Sequence, residues 1–588
     1  MLAPLWAPLR TRLPSRRGGW RQRMAAEDEP ALPSPVISRL FGNLLLDWSD
    51  GLMSARKLQF TAANALYDGF DHPMAHRLAQ AGAGQNAQQG LLSLLRGCGV
   101  ADLLTVYPDE EVTHLMLPST WLKVVSQYPS DFALQLGADR ARLRQFWKGF
   151  MSSPNHVTVR AHPAIGDSSL SELVNVVPLC VHSDGAPFTK TKSCFTISFS
   201  SLLGLGDAKQ TKFAICSFIK SKNERGHWPA WQHVVDDLEA LATGVVNGEV
   251  VATNSDGTPW RFALLFVKSD EDVRSNEFKL AHFSGAIEVC SECLANREER
   301  PWTDSSRDSA WRPTERMPLE TYRARIAEPH HPVVASRMFC HRHFFMLDIM
   351  HLLDCNGVSS LVIGSTLMWL MADIRLGRNR AARLERVNGE RAGFYEPKPG
   401  VSRLPMLKEK CFVQSGWGEL HGPAFKAAVT RHAVPFFHEL VCKYCTAATP
   451  RDTCLTQTLA SLVKIYDVMY QSDTFLTPEA VVDLRAACVS FGEGYMRLRE
   501  LSRRSGVLAF GMKPKVHKVQ HLPFMSESIN PRNVQCYSEE SLMGSCVKTW
   551  KGTSHGRYKG TAQKVVLIKR VTAVILRLEL ARLPTRHG

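Results

Sequence analysis

The 588-residue chain contains no run of the roughly 18 to 20 apolar residues that a membrane span needs, so no spanning helix is expected. It also lacks a secretory apolar leader ahead of its 15 cysteines. That combination argues for a reducing compartment, with thiols as core residues or metal ligands, and against a disulfide framework. The first 170 residues show neither a Cys/His finger nor a helix-turn-helix pattern, so a DNA-reading role there rests on position alone. No internal repeat or sustained low-complexity tract appears. Acidic residues are in deficit, 56 against 71 Lys and Arg, for a formal net charge of +15. Such an excess attracts polyanions, whether nucleic acid or an anionic membrane surface.

What is present is ordinary for a globular protein, 44% hydrophobic and 22% charged, and the length allows roughly three to four domains with ample core. Six segments are expected. Residues 1–30 form a basic tail with Arg10, Arg12, Arg16, Arg17, Arg21 and Arg23, which reads equally as an organellar transit peptide, a DNA-contacting arm or an over-extended gene model. Residues 31–170 are mostly helical, with a flexible joint at Gly82–Gly90. Residues 171–300 are strand-rich, 301–335 form a polar, Arg- and Pro-rich linker, and 336–506 are helical without strand alternation. Residues 507–588 hold a histidine pair, an acidic pair and a terminal helix over Thr561–Leu583. Packing against the sheet is the simpler reading of that helix, with its basic edge tracking phosphates as the other.

In the strand-rich segment, Val177–Pro187 is an apolar strand that runs into the acidic turn Asp184-Gly185-Ala186-Pro187. Cys194–Ser200 alternates Phe195, Ile197 and Phe199 with Thr196, Ser198 and Ser200, the period of a half-buried strand. Phe213–Ile219 is a third strand, Trp231–Val246 a helix with Val234, Leu238, Leu241 and Val245 on one face, and Arg261–Val267 a fourth strand that leads into Asp270. The first and fourth strands therefore each end in an aspartate, Asp184 and Asp270. Taken singly these are turn chemistry and a loop acid; taken together they suggest a shared site. A third acid, Glu539 or Glu540, opens a helix with Leu542, Met543, Cys546 and Val547 on its apolar face, where the macrodipole alone favours negative charge. Lys190, Lys192, Lys209, Lys212, Lys220 and Lys222 surround the first strands, as phosphate contacts or as solvated surface charges.

Cys290-Ser291-Glu292-Cys293 has the spacing that lets two thiolates point at one Zn²⁺, and His517 and His521 are spaced to bring both imidazoles to one face of a helical turn. Together they make a Cys₂His₂ set that would staple the end of the sheet to the C-terminal segment; apart, they are a buried thiol pair and two histidines near a proline. Asp348 and His351, flanked by Met346, Leu347, Leu352 and Leu353, read as a site pair or as a helix-turn acid with a core histidine.

In this order the motifs resemble the DDE transposases of the CACTA (En/Spm) type and, more distantly, the catalytic core of the vertebrate immune-gene recombinase, over about residues 175–585. The resemblance rests on Asp184-Gly185-Ala186-Pro187, the strand Phe262–Asp270, Phe283-Ser284-Gly285-Ala286 with the cysteine pair, and Leu347-Asp348-Ile349-Met350-His351. It continues through Lys513–Pro523 with its two histidines and Tyr537–Gly544. Two departures stand out. Glu271-Asp272-Val273 replaces the proline and alanine usual after the second aspartate, leaving Asp272 as a rival, and Glu539 and Ser541 flank Glu540 where relatives have an aromatic residue and an arginine.

The resemblance implies an α/β ribonuclease-H-like core, a mixed five-stranded sheet with flanking helices in which the first and fourth strands are neighbours, interrupted by a large helical insertion. It also implies that Asp184, Asp270 and Glu540 bind two Mg²⁺ or Mn²⁺ ions for cleavage and joining of DNA phosphodiesters in cut-and-paste transposition, that zinc is structural, and that Asp348 and His351 are accessory. Transposon-end DNA, a homo-oligomer and a nuclear location follow, with an organelle as the alternative if the basic tail is a transit peptide. The competing expectation is an inactive, domesticated relative that uses the zinc-stabilised scaffold only to bind DNA.

Overall fold

The computed structural model describes residues 39–67, 73–80, 87–97, 100–108, 110–154, 156–220, 226–283, 287–414, 417–445, 449–553 and 559–582. The basic tail, residues 82–86 of the expected joint, Lys222 and Ser284-Gly285-Ala286 lie outside them.

After a helical N-terminal region that opens with α1 (Arg39–Ser49), the chain builds a five-stranded mixed sheet from β1 (Val176–Pro187), β2 (Ser193–Ser201), β3 (Phe213–Ile219), β4 (Arg261–Ser269) and β5 (Phe345–Leu347), in the order β3-β2-β1-β4-β5. The β1–β2 and β2–β3 pairs are antiparallel, β1–β4 and β4–β5 parallel. The parallel register pairs His182 with Lys268 and Ser269 with Leu347. Asp184 and Asp270 each lie two residues past the His182–Lys268 pair, and Asp348 follows directly after Leu347. Three acids thus gather toward one end of three neighbouring strands, but Asp184-Gly185-Ala186-Pro187 is not the expected turn: it stays in β1, paired with Ser193–Thr196 of β2, and only the pairing with β4 stops before Asp184.

The sheet is covered on both faces, which explains why β1 is a continuous apolar run and corrects the half-buried reading of β2. Thr196, Ser198 and Ser200 are as buried as Phe195, Ile197 and Phe199. Their face is satisfied by side-chain hydrogen bonds: the Thr196 hydroxyl donates to Ser217 Oγ at 3.0 Å, and the Trp550 indole donates to the same oxygen at 2.9 Å. The crossover helix α2 spans Trp228–Leu241 and stops before Val245. Gly244, at φ +79°, turns the chain into the hairpin Val245–Val246/Glu249–Val250, and a Cβ there would come within 2.5 Å of the Trp260 carbonyl.

Beyond β4 comes the short helix α3 (Glu271–Asn276). The insertion follows β5 and contains α4 (Val358–Leu370), α5 (Ala427–Tyr444), α6 (Pro450–Gln471) and α7 (Pro478–Arg504). Thr449 and Thr477 cap α6 and α7 through hydroxyls that accept from Asp452 and Ala480 N–H, each followed by proline in the first turn. Within 336–506, β5 and the small pairing Val413–Gln414/Trp417–Gly418 are strands that the absence of alternation hid.

The C-terminal part adds α8 (Pro514–Val519), α9 (Tyr537–Gly552) and α10 (Lys559–Arg582). The basic residues of α10 turn partly inward: Lys569 and Arg570 are buried, Lys569 donates to the Trp48 carbonyl at 3.1 Å, and Arg577 pairs with buried Asp50 at 2.5 Å. The N-terminal helices therefore share one hydrophobic core with the sheet and α10. Among the described residues no helix is long and apolar enough to cross a membrane.

Candidate functional site

The strand ends set the acids. Asp184 is nearly buried, and its Oδ1 accepts from Gly185 N–H at 2.6 Å. Burial, then the nearby charges of Asp270 and Glu540, push its pKa up to about 8. Asp270 caps α3 by accepting from Val273 N–H at 2.8 Å, and burial raises its pKa against that bond and the pull of His351. Glu540, in the first turn of α9, is raised by burial and by Asp348 and Asp270, with His351 opposing. The three carboxylates thus share one electrostatic site. They do not form a set whose oxygens all converge within 4.8 Å, as the cysteine-histidine cluster below does.

His351 places a positive charge among them. It lies in the one-turn π-helix Met350–Asp354 that follows β5, a conformation that recurs at functional sites. Its Nδ1 is 2.5 Å from Asp348 Oδ2 and its Nε2 3.5 Å from Glu540 Oε1. Burial alone would lower its pKa, but Asp348, Asp184 and Asp270 hold it at about 9. Asp348 spends its other oxygen on the N–H groups of Cys536, at 2.9 Å, and Met350, at 3.1 Å. It therefore fixes both the histidine and the start of α9.

The rival acids face elsewhere. Asp272 is exposed and pairs with Lys220 at 2.7 Å. Glu539 is 1% exposed and lies 2.5 Å from Lys268 Nζ and 3.0 Å from Lys212 Nζ. Burial opposes its charge, but the two lysines hold its carboxyl far below the usual range. The geometry therefore selects Asp270 and Glu540. Of the strand-flanking lysines, Lys209, Lys212 and Lys220 are committed to Asp50, Glu539 and Asp272, and Lys190 and Lys192 are exposed. A cavity of about 420 Å³ opens beside the acids, lined by Asp270, Asp348 and His351 on one side and by Lys513, Lys515 and Lys518 on the other.

A second network, not read from the sequence, fastens the helix of Glu540 to the insertion. Buried Asp354, the last residue of the π-turn, accepts from Tyr537 OH at 2.6 Å and from Tyr466 OH of α6. Arg431 of α5 lies over the Tyr537 ring at 4.9 Å.

The cysteines and histidines also come together. Cys290 Sγ is 3.4 Å from His521 Nε2, Cys293 Sγ is 3.3 Å from His517 Nε2, and the two Nε2 atoms are 3.2 Å apart, with all four side chains buried. A tetrahedral zinc with ordinary Zn–S and Zn–N bonds separates its ligands by about 3.3 to 3.8 Å. Glu292 and Ala295 N–H donate to Cys290 and Cys293 sulfur, and Glu315 Oε1 lies 2.7 Å from His521 Nδ1, the partner that orients a ligating imidazole. Segment 301–335 is accordingly part of this centre and not a free linker. Trp311 is fully buried, edge-on to His517 at 4.4 Å, and Arg325 donates to the carbonyls of Cys290 and Cys293.

One buried arginine joins the two centres. Arg274, on α3, donates to the carbonyls of Phe345 and Met346 in β5, each at 2.9 Å, and to Glu292 Oε1 between the two cysteines at 2.5 Å. Glu271 of the same helix pairs with Lys518 beside His517. The helix that Asp270 caps is thus braced by the cysteine-histidine cluster.

A second Cys-x-x-Cys, Cys442 and Cys445, is also present. Cys445 groups with Asp373 and Asp452. Arg375 and Arg451 already bridge these two aspartates, and burial pushes the Cys445 thiol up to about 11, so the group is an ion-pair clasp between α6 and the chain after α4. No protein-family model matches the chain, nor does any curated protein, and the functional reading rests on the chemistry of these two centres.

Proposed function

We propose that the chain is a DDE-type DNA transposase of the CACTA (En/Spm) kind, a polynucleotidyl transferase on a ribonuclease-H-like core. The observation that carries this reading is the meeting of Asp184 and Asp270, each two residues past the last parallel pair of adjacent strands, with Glu540 from a helix far along the chain, Asp270 and Glu540 both raising the pKa of Asp184. The 3-2-1-4-5 strand order supports the core assignment.

Three carboxyl groups whose pKa values are raised by burial and by one another's charge, beside one imidazolium, offer oxygen ligands that a hard divalent cation would hold in the ionised form. Asp184, Asp270 and Glu540 would hold Mg²⁺ or Mn²⁺, which in such sites activate the attacking hydroxyl and stabilise the leaving oxygen of a phosphodiester. Asp348 orients His351, and His351 holds Glu540 toward the aspartates. Cys290, Cys293, His517 and His521 would hold a structural Zn²⁺, in keeping with their spacing, burial and the carboxylate behind His521. The net positive charge suits a DNA substrate, and a homo-oligomer in the nucleus is the setting in which paired transposon ends would be processed.

The test is incubation of the purified chain with labelled element-end DNA and Mg²⁺ or Mn²⁺, beside Asp184→Ala and Glu540→Gln. Metal-dependent nicking or joining that both variants lose supports the proposal. DNA binding with stoichiometric zinc and no cleavage would instead identify an inactive DNA-binding scaffold.

A further inference from the structure

Next to the cysteine-histidine centre, and sharing Glu315 with it, lies a cavity of about 500 Å³. Four arginines line it, Arg307, Arg312, Arg316 and Arg485, over a floor that includes Phe524. Glu527, Glu315 and Glu493 are the carboxylates nearest these four charges. Glu527 is shared by Arg316 and Arg485, the latter at 3.1 Å, and Glu315 is engaged by His521 at 2.7 Å. Arg307 and Arg312 make no ion pair among the described residues.

Arg312 is the best prepared of them. Its Nε donates to the Ser306 carbonyl at 2.8 Å, one terminal nitrogen donates to Gln520 Oε1 at 2.9 Å, and the group lies over the Trp311 ring at 4.6 Å. No carboxylate lies within ion-pair distance of it among the described residues, and burial depresses its pKa against the more distant charges of Glu315, Glu493 and Asp304. Arg307, exposed at the rim, makes no ion pair among the described residues and is positioned by its backbone N–H, which donates to Glu493 at 3.0 Å. Planar forked donors held by packing, with charge to spare, match the geometry of a phosphate oxyanion.

We infer that the Arg307–Arg312–Arg316–Arg485 cavity is a phosphate-binding site. Its ligand is either a backbone phosphodiester of duplex DNA or the phosphate of a free nucleotide or inorganic phosphate. The inference stands independently of the acid cluster, since it needs no catalysis.

The test uses the full zinc-loaded chain, Arg307→Gln and Arg307→Gln/Arg312→Gln, with Arg380→Gln, whose partner is exposed Glu409, as a surface control. One arm measures affinity for a labelled duplex across a salt series; the other measures the thermal shift produced by inorganic phosphate and pyrophosphate. If the duplex is the ligand, the double variant binds about tenfold more weakly at low salt and its log K against log salt slope falls by about one to two. If free phosphate is the ligand, the slope stays and the thermal shift disappears. Zinc content equal to the parent's shows that the neighbouring centre is intact, and Arg307→Gln alone, at the exposed rim, carries the test if the double variant fails to fold. Unchanged slope, affinity and thermal shift in a folded variant would overturn the inference.

Discussion

Glu539 and Glu540 are adjacent in sequence and opposite in role. Glu540 faces His351 and the two aspartates, whereas Glu539 neutralises Lys268 and Lys212 in the interior. Glu540→Gln should therefore abolish strand cleavage with little change in the denaturant midpoint, and Glu539→Gln should cost about 3 kcal/mol or more by leaving a buried ammonium unpaired. Chemical denaturation of both variants beside a cleavage assay separates them; equal stability losses would refute the assignment. The raised carboxyl of Asp184 makes a second claim. Its protonated form is the one the fold favours, so its contribution to stability is full below the ordinary carboxylate pKa, near 4, and is lost as pH rises to about 8. Without divalent cation, the stability difference between the parent and Asp184→Asn should shift against the parent across that window, and Mn²⁺ should restore it; thermal melts at a series of pH values read this directly. The aspartates were legible because each follows an apolar run, although β1 continues past Asp184 to Pro187. The choice between the glutamates was not, since it depends on Lys268 and Lys212, which approach from β4 and from just before β3.

Among the elements, α3 has the most dependents. It is six residues long, too short to be stable alone, yet it presents Asp270 at its start and Arg274 and Glu271 to its neighbours. Its position is held by Arg274 on the β5 carbonyls and Glu292, and by Glu271 on Lys518. Arg274→Met should leave buried Glu292, between the cysteines, with only Arg342 as its ion-pair partner at 3.3 Å, lowering zinc affinity about 10-fold in a chelator competition, and lowering cleavage in parallel because Asp270 loses its mount. Zinc affinity equal to the parent's would show that the two centres are uncoupled. The four long strands could be read from apolar runs, of which only β2 alternates, and the terminal helix from its length and apolar content. β5 could not: three buried residues carry no period, and it was hidden in a stretch that otherwise reads as helix. The polarity of 301–335 misled for a related reason. Its arginines face a cavity and the carbonyls of the cysteine loop, so a hydrophilic composition accompanied a buried Trp311.

For the whole molecule, the cysteine-histidine cluster closes long loops, with a sequence separation of 231 between Cys290 and His521 and of 224 between Cys293 and His517. Closing a long loop removes unfolded-state entropy that grows slowly with length, and a metal at this point would tie β4, α3, segment 301–335 and α8 together while the insertion hangs between them. Without it, two thiols and two imidazoles packed at 3.2 to 3.4 Å separations remain as a buried polar cluster under Trp311. Removing zinc with a chelator, or replacing Cys293 with serine, should therefore act on a wide area: a lower melting temperature, increased Trp311 exposure seen in fluorescence, and new protease cleavage within 301–335 ahead of the helices of the insertion. Re-addition of Zn²⁺ should reverse these changes in the parent and not in Cys293→Ser. If chelation leaves the melting temperature and the cleavage pattern unchanged, the four side chains are a core cluster without a metal, and the brace on Asp270 comes from Arg274 and Lys518 alone.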